Sequence, residues 1–188
     1  MQLIYGNLFA PKTYRYADNR MVGIQPSAIV ITTNGAIKKS GEAVMGKGCA
    51  KQAASMDPRL PLLLGKAIEK NHNNVQVIGT LCGLHRIISF PVKPVSEICA
   101  SDKRNVVKHM QNRMRVGQEV PGWACVADIK LIERSAQQLV ALVKEKKWAK
   151  VVLPRPGVGA GQLSWTDVKP VLDSILDDTF YCITFGRK

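Results

Sequence analysis

The sequence predicts an α/β fold: a three-layer α/β/α sandwich around a mixed, mostly parallel central sheet. Three observations predict it. Short apolar, β-branched runs alternate with helical patterns along the whole chain. Two of these runs, Ser27 to Thr33 and Lys150 to Pro154, each lead into a glycine-rich loop and then a helical pattern. With 188 residues, 46% hydrophobic and 22% charged, the chain has the composition of one globular domain spanning 1–188, long enough to bury a real core.

Met1 to Tyr5 reads as a strand closed by Gly6 and Asn7, with Leu8 and Phe9 following. Ala10 to Pro26 is polar, contains two prolines, and reads as an ordered excursion. The buried strand Ser27 to Thr33 comes next, then a loop carrying Gly41, Gly46 and Gly48. A helix begins near Cys49, runs through Lys51 to Met56, and is broken by Asp57-Pro58. Leu60 to Asn71 is a second helix, ended by Asn71-His72-Asn73-Asn74. Val75 to Leu81 and Arg86 to Phe90 read as paired strands joined through Cys82 to His85. Pro91 to Pro94 breaks the pattern at a strand end. Asp102 to Arg115 is predicted as a helix made basic on one side by Lys103, Arg104, Lys108, Arg113 and Arg115, and Val116 to Trp123 as loop. From Asp128, the positions Ile129, Ile132, Ala136, Leu139, Val140 and Val143 follow helical spacing. That helix ends in Lys144 to Lys147, where cations suit its dipole. After the Lys150 strand come Gly157, Gly159 and Gly161, then a helix Thr166 to Asp178, with Ser164 and Asp167 at capping-box spacing, and a last strand Thr179 to Phe185.

Twenty-seven basic residues against 14 acidic ones give a net charge of +13. That balance favours anionic partners, either nucleic acid or a phosphorylated small molecule. Five cysteines, odd in number and without a Cys-x-x-Cys, read as reduced thiols of a cytoplasmic protein. His72, His85 and His109 have no zinc-ligand spacing, so neither a metal nor a cofactor is expected. No signal-peptide pattern opens the chain and no apolar run reaches the roughly 18 residues of a membrane span.

The two loops carry the functional reading. The first amides of a helix lack intrahelical partners and lie at the positive end of the dipole. Glycines before such a helix let a ligand approach the backbone, which makes a phosphate cradle. Parallel strands place both loops at the same sheet edge. Gly41 to Lys47 fits seven positions of a P-loop, but Gly48 stands where a Mg²⁺-holding hydroxyl is required. Gly157 and Gly159 begin a dinucleotide fingerprint, but Gln162 stands at its third glycine.

A different pattern fits both loops together. Asn34 follows the buried strand, ahead of Val44-Met45-Gly46-Lys47-Gly48-Cys49-Ala50, and the distal segment reads Pro154-Arg155-Pro156-Gly157-Val158-Gly159-Ala160-Gly161-Gln162-Leu163-Ser164-Trp165. Gly6-Asn7-Leu8-Phe9 forms a matching opening turn. These segments resemble the macro domain family, in particular the bacterial and phage branch with antitoxins that remove ADP-ribose from DNA and related deacylating hydrolases. The resemblance runs from residue 1 to about 185 and is weak between Pro94 and Asp128.

The resemblance implies a division of labour. Val44 to Gly48 would hold the distal ribose and one phosphate, Gly157 to Leu163 the pyrophosphate, and Asn34 the distal ribose. Asn7 and Leu8 would lie by the adenine, with Asn7 where many relatives carry an acidic residue, and Phe185 would stack on the base. Asn34 also precedes Gly35, so an Asn–Gly turn is its structural role. Phe90-Pro91-Val92-Lys93 resembles the segment whose lysine acts on the anomeric carbon of the distal ribose. A related deacylating group adds an aspartate in the distal loop, where this chain has Gly161. The expected protein is a monomer acting on ADP-ribose or an ADP-ribosylated substrate, with Lys93 and Asn34 as catalytic candidates. A non-catalytic ADP-ribose reader and a basic nucleic-acid-binding module are the alternatives.

Overall fold

The computed structural model describes residues 1–81 and 85–185; residues 82–84 of the expected strand connection lie outside them. The main sheet contains β1 (Gln2–Tyr5), β2 (Ala28–Asn34), β3 (Gln76–Leu81), β4 (His85–Lys93), β7 (Val151–Pro154) and β8 (Phe180–Thr184), in the order β1-β8-β7-β2-β4-β3. All its neighbours run parallel except β3, which pairs antiparallel with β4. The mixed, mostly parallel α/β sandwich expected from the sequence is therefore present.

Helices α1 (Gly48–Met56) and α2 (Leu60–Asn71) cover one face, and α3 (Ile129–Lys146) and α4 (Trp165–Asp173) the other. The period-2 alternation of side chains divides each strand between two cores. Ile29 and Ile31 of β2 join Val152, Tyr181, Ile183 and Leu64 on one side. Ala28 and Val30 join Val151, Leu153, Ile132, Ala136 and Leu139 on the other. Asp128 caps α3 by accepting from the Lys130 amide at 2.8 Å, and Lys147 closes it in the left-handed region at φ 53°. The 10–26 excursion is ordered by fully buried Tyr14, whose hydroxyl donates to the Leu8 carbonyl at 2.6 Å.

Four expectations need correction. Asp102 to Arg115 is not an α-helix; a 3-10 segment covers only Lys108–Arg113. Asn105 accounts for this. Its side chain accepts from the Ala100 amide and donates to Glu97 and the Ile98 carbonyl, and Val106 bridges to Cys125, so local bonds replace a helical ladder. Within the expected 116–123 loop, β6 (Glu119–Pro121) pairs with β5 (Ser96–Ile98). This excursion has its own small core of Cys99, Val106, Val107, Met110, Met114, Val120, Ala124 and Cys125.

Pro91 does not end its strand either. β3 accompanies β4 only as far as Ser89, so Pro91 lies where that side of β4 is unpaired and a missing amide costs no ladder bond. The Pro91 carbonyl accepts from Ser135 Oγ at 2.8 Å and the Val92 carbonyl from the Asp128 amide at 2.9 Å. Finally, α4 stops at Asp173 rather than Asp178. Asp177 caps the Thr179 amide at 2.9 Å and turns the chain into β8.

Candidate ligand cavity and active site

Asn34, Lys93, Pro154 and Thr184 are the last residues of β2, β4, β7 and β8. Because those strands are parallel, all four arrive at one sheet edge, where a cavity of about 530 Å³ opens. The first glycine loop walls one side and the distal loop the other. Among the described residues, the amides of Gly46, Lys47, Gly48, Val158, Gly159, Ala160 and Gly161 donate to no protein group. Lys47 is the N-cap of α1 but supplies no capping side chain, so the start of that helix is left open to an incoming acceptor. A Cβ on Gly46 or Gly159 would meet nothing within 4 Å, so both backbones face open space.

The distal loop is held by packing. A Cβ on Gly161 would lie 2.4 Å from the Gly157 carbonyl oxygen and 2.7 Å from Ala127 Cβ. The aspartate that a related deacylating group carries at this position therefore has no room in this backbone. Nor do Glu42, Glu97 or Asp167 reach the cavity to take its place. Glu42 pairs with Lys38 at 3.0 Å and Glu97 accepts from Asn105 at 2.9 Å. Asp167 lies beside Thr166 on α4, and among the described residues no Asp or Glu lines the cavity.

Asn34 and Lys93 are register partners across β2 and β4, at a bulge that follows Thr33. Asn34 Nδ2 donates to the Val44 carbonyl at 2.9 Å, and its Oδ1 accepts from the Ala36 amide at 3.0 Å. It makes the Asn–Gly turn and also holds the first loop against the sheet. Lys93 is 7% exposed, and its amine donates to the Trp123 carbonyl at 3.3 Å. The Lys93 carbonyl accepts from Asn73 Nδ2 at 3.0 Å, which fixes the backbone beneath the amine. Burial pulls the ammonium down to about 8 from 10.5; the Lys47 cation adds to this and Cys125 opposes it. The amine stays mostly protonated at neutral pH, but its neutral fraction is far larger than that of a free lysine. The neighbouring thiols are not poised in this way. Burial pushes Cys125 up to about 11, and Cys49 is also raised by burial while its Sγ accepts from the Thr32 amide at 3.3 Å.

Of the predicted site residues, Leu8, Asn34, Val44, Gly46, Lys47, Gly48, Lys93, Gly157, Val158, Gly159, Ala160, Gly161 and Phe185 line this cavity. Phe185 stands at its rim, 63% exposed. Four do not line it. Asn7 Oδ1 accepts from the Phe9 amide at 3.0 Å, within its own turn. Met45 is buried in the core beneath the first loop, and Leu163 packs on the core of the opposite face. Gln162, at φ 64°, turns its Oε1 to the Lys108 amide at 3.1 Å. The cavity also gathers residues that are not among the predicted site residues: Arg155 of the distal segment, Thr32 of β2, and His109 and Trp123 from outside both loops. Arg155 stacks over the Trp165 ring at 4.8 Å. The available signal for His109 and Trp123 is their place in the basic excursion, and it does not say that the segment folds back over the sheet edge.

A six-stranded mixed sheet in the order given, flanked by helices and opening at the strand ends between two amide-rich loops, is the macrodomain fold. The macrodomain of Mycobacterium tuberculosis DarG matches it with a TM-score of 0.61 at 22% identity, over 100% of this chain and 99% of that one. The macrodomain of Thermus aquaticus DarG matches with 0.62 at 21%, over 99% and 97%. Thermosipho africanus DarTG in complex with ADP-ribose matches with 0.57 at 16%, over 86% of this chain and 38% of that one. No family model and no curated protein matches the sequence. Among the described residues, no helix is long and apolar enough to cross a membrane.

Proposed function

We propose that this chain binds ADP-ribose and hydrolyses it from a conjugate, with Lys93 as nucleophile. The observation that carries the proposal is a buried, partly neutral amine set between two loops of unpartnered amides. Amide donors at a helix start suit a pyrophosphate, and the cavity is the right size for a small-molecule ligand. Thermosipho africanus DarTG, part of which has a similar fold, has been solved in complex with ADP-ribose. The chemistry begins with the Lys93 Nζ lone pair bonding to the anomeric carbon of the distal ribose. The bond from that carbon to the conjugate breaks, its electron pair leaves with the conjugate, and the conjugate takes the proton lost by Nζ. Water then cleaves the lysine–ribose bond, releasing ADP-ribose and restoring the amine.

Calorimetry with ADP-ribose, followed by turnover of an ADP-ribosylated oligonucleotide, peptide and ribose-phosphate panel, tests both halves. Lys93→Ala and Lys93→Arg should each lose turnover by at least about 10³-fold while retaining affinity, because an alanine has no nucleophile and a guanidinium stays protonated. Wild-type turnover in Lys93→Arg removes the nucleophile role. The absence of a cavity carboxylate favours one second reading, a non-catalytic ADP-ribose reader. Binding without turnover of any conjugate would establish it.

A further inference from the structure

Between Pro94 and Asp128 the chain leaves the sandwich and returns, and His109 from that excursion lines the cavity. Its position is fixed from both loops. The preceding amide, Lys108 N–H, donates to Gln162 Oε1 of the distal loop at 3.1 Å. The following residue, Met110, is buried in the excursion's own core, and its amide donates to the Val107 carbonyl at 2.8 Å. The ring Nε2 lies 2.9 Å from Lys47 Nζ of the first loop. An ammonium can only donate, so Nε2 is the acceptor in this contact.

Among the described residues, the charged side chains lining the cavity with that ring are all of one sign. Lys47 comes from the first loop, Lys93 from β4 and Arg155 from the distal loop, and Lys108 and Arg113 lie on the same 3-10 segment. Lys108 belongs instead to a second cavity, with Arg104 and Gln111. With no acidic residue on the cavity wall among the described residues, only an anionic ligand can stabilise an imidazolium there.

We propose that His109 is a phosphate-binding residue of this cavity and that it takes up one proton as the anion enters. The Lys47–His109 hydrogen bond opens, the proton comes from solvent to Nε2, and both groups then donate to phosphate oxygens. No other bond is made or broken. The ligand in this inference rests on the ADP-ribose reading, while hydrolysis plays no part in it.

Calorimetry with ADP-ribose in two buffers of different ionisation heat counts the protons taken up. Its pyrophosphate has no group that titrates near neutrality. Affinity should rise by about three- to tenfold from pH 7.5 to pH 6, with uptake approaching one proton, and His109→Gln should flatten this dependence. His109 is exposed, so the variant is expected to fold. Lys93, which titrates near pH 8, is separated by repeating the measurement in Lys93→Met below pH 7, where the uptake should persist. Zero uptake in the wild type, or a wild-type pH dependence in His109→Gln, overturns the proposal. Ring titration by NMR with inorganic pyrophosphate distinguishes the two readings. A raised His109 midpoint without ADP-ribose binding keeps the proton-linked anion site and discards ADP-ribose. A midpoint unmoved by pyrophosphate overturns the inference.

Discussion

The two glycine loops meet the same cavity but are held by different forces. The distal loop is locked by backbone packing: Gly161 presses on Gly157 and Ala127, its carbonyl accepts from the Ala127 amide at 2.9 Å, and the Leu163 amide donates to the Gly157 carbonyl at 3.0 Å. The first loop is anchored before Met45 by backbone bonds, the Val44 amide donating to the Ala36 carbonyl at 2.9 Å, but beyond it only by side chains, Asn34 to the Val44 carbonyl and Lys47 to His109, with open space over Gly46 and Gly48. One is thus a preformed row of unpartnered amides. The other can be loosened or re-aimed by changing a single side chain outside it.

Gly161→Ala tests the packed loop most severely. Its methyl meets backbone oxygen at 2.4 Å, so about 2–4 kcal/mol of stability should be lost in a denaturant melt. Gly46→Ala should cost under about 0.5 kcal/mol, because its methyl meets nothing. Equal costs would erase the contrast between the loops. Gly159→Glu should fold normally, since no atom lies near its Cβ, yet weaken ADP-ribose by at least about 100-fold by setting an anion in the phosphate seat. Unchanged affinity would remove the distal loop from the site. Asn34→Ala releases the first loop and should weaken binding by about tenfold with little change in melting temperature, as read by calorimetry.

The smallest effect runs the other way. Lys93 releases its proton near pH 8 in the folded chain and near 10.5 when unfolded. Below pH 8 both states are charged, and the fold bears the cost of burying the ammonium. Between those values the unfolded chain binds more protons, so wild-type stability rises with pH. Lys93→Met should therefore be more stable at pH 7 by about 1 kcal/mol, discounted for partial solvation, with the advantage shrinking toward pH 10.5. Equal stability at pH 7 would place the amine in water.

What the sequence made legible was local. β-branched runs followed by glycines located β2, β7 and both loops, and Phe90 to Lys93 pointed to the lysine at the end of β4. The failures came where distant contacts override local pattern. Pro91 reads as a strand break until Ser135, 44 residues on, is seen to accept the role of partner to its carbonyl. Asp102 to Arg115 has helix formers enough, but the Asn105 side chain and the Val106–Cys125 bridge win. His109 entered the site through a fold of that same segment, which has no periodicity to reveal it. Gln162 sits inside the right motif yet faces away, because its left-handed backbone turns the side chain to Lys108.

The order of strands also bears on when the cavity can exist. β1 pairs only with β8 in the main sheet, Gln2 beside Tyr181, and β8 ends at the cavity with Thr184. Synthesis from the N-terminal side supplies the first loop and Lys93 early, but β1, bridged until then only to Arg15, waits for β8 before it has a partner in the main sheet. Such long-range closure is slow. The cavity is therefore completed only when β8 seats between β7 and β1, after the first loop, Lys93 and the distal loop have already entered the chain.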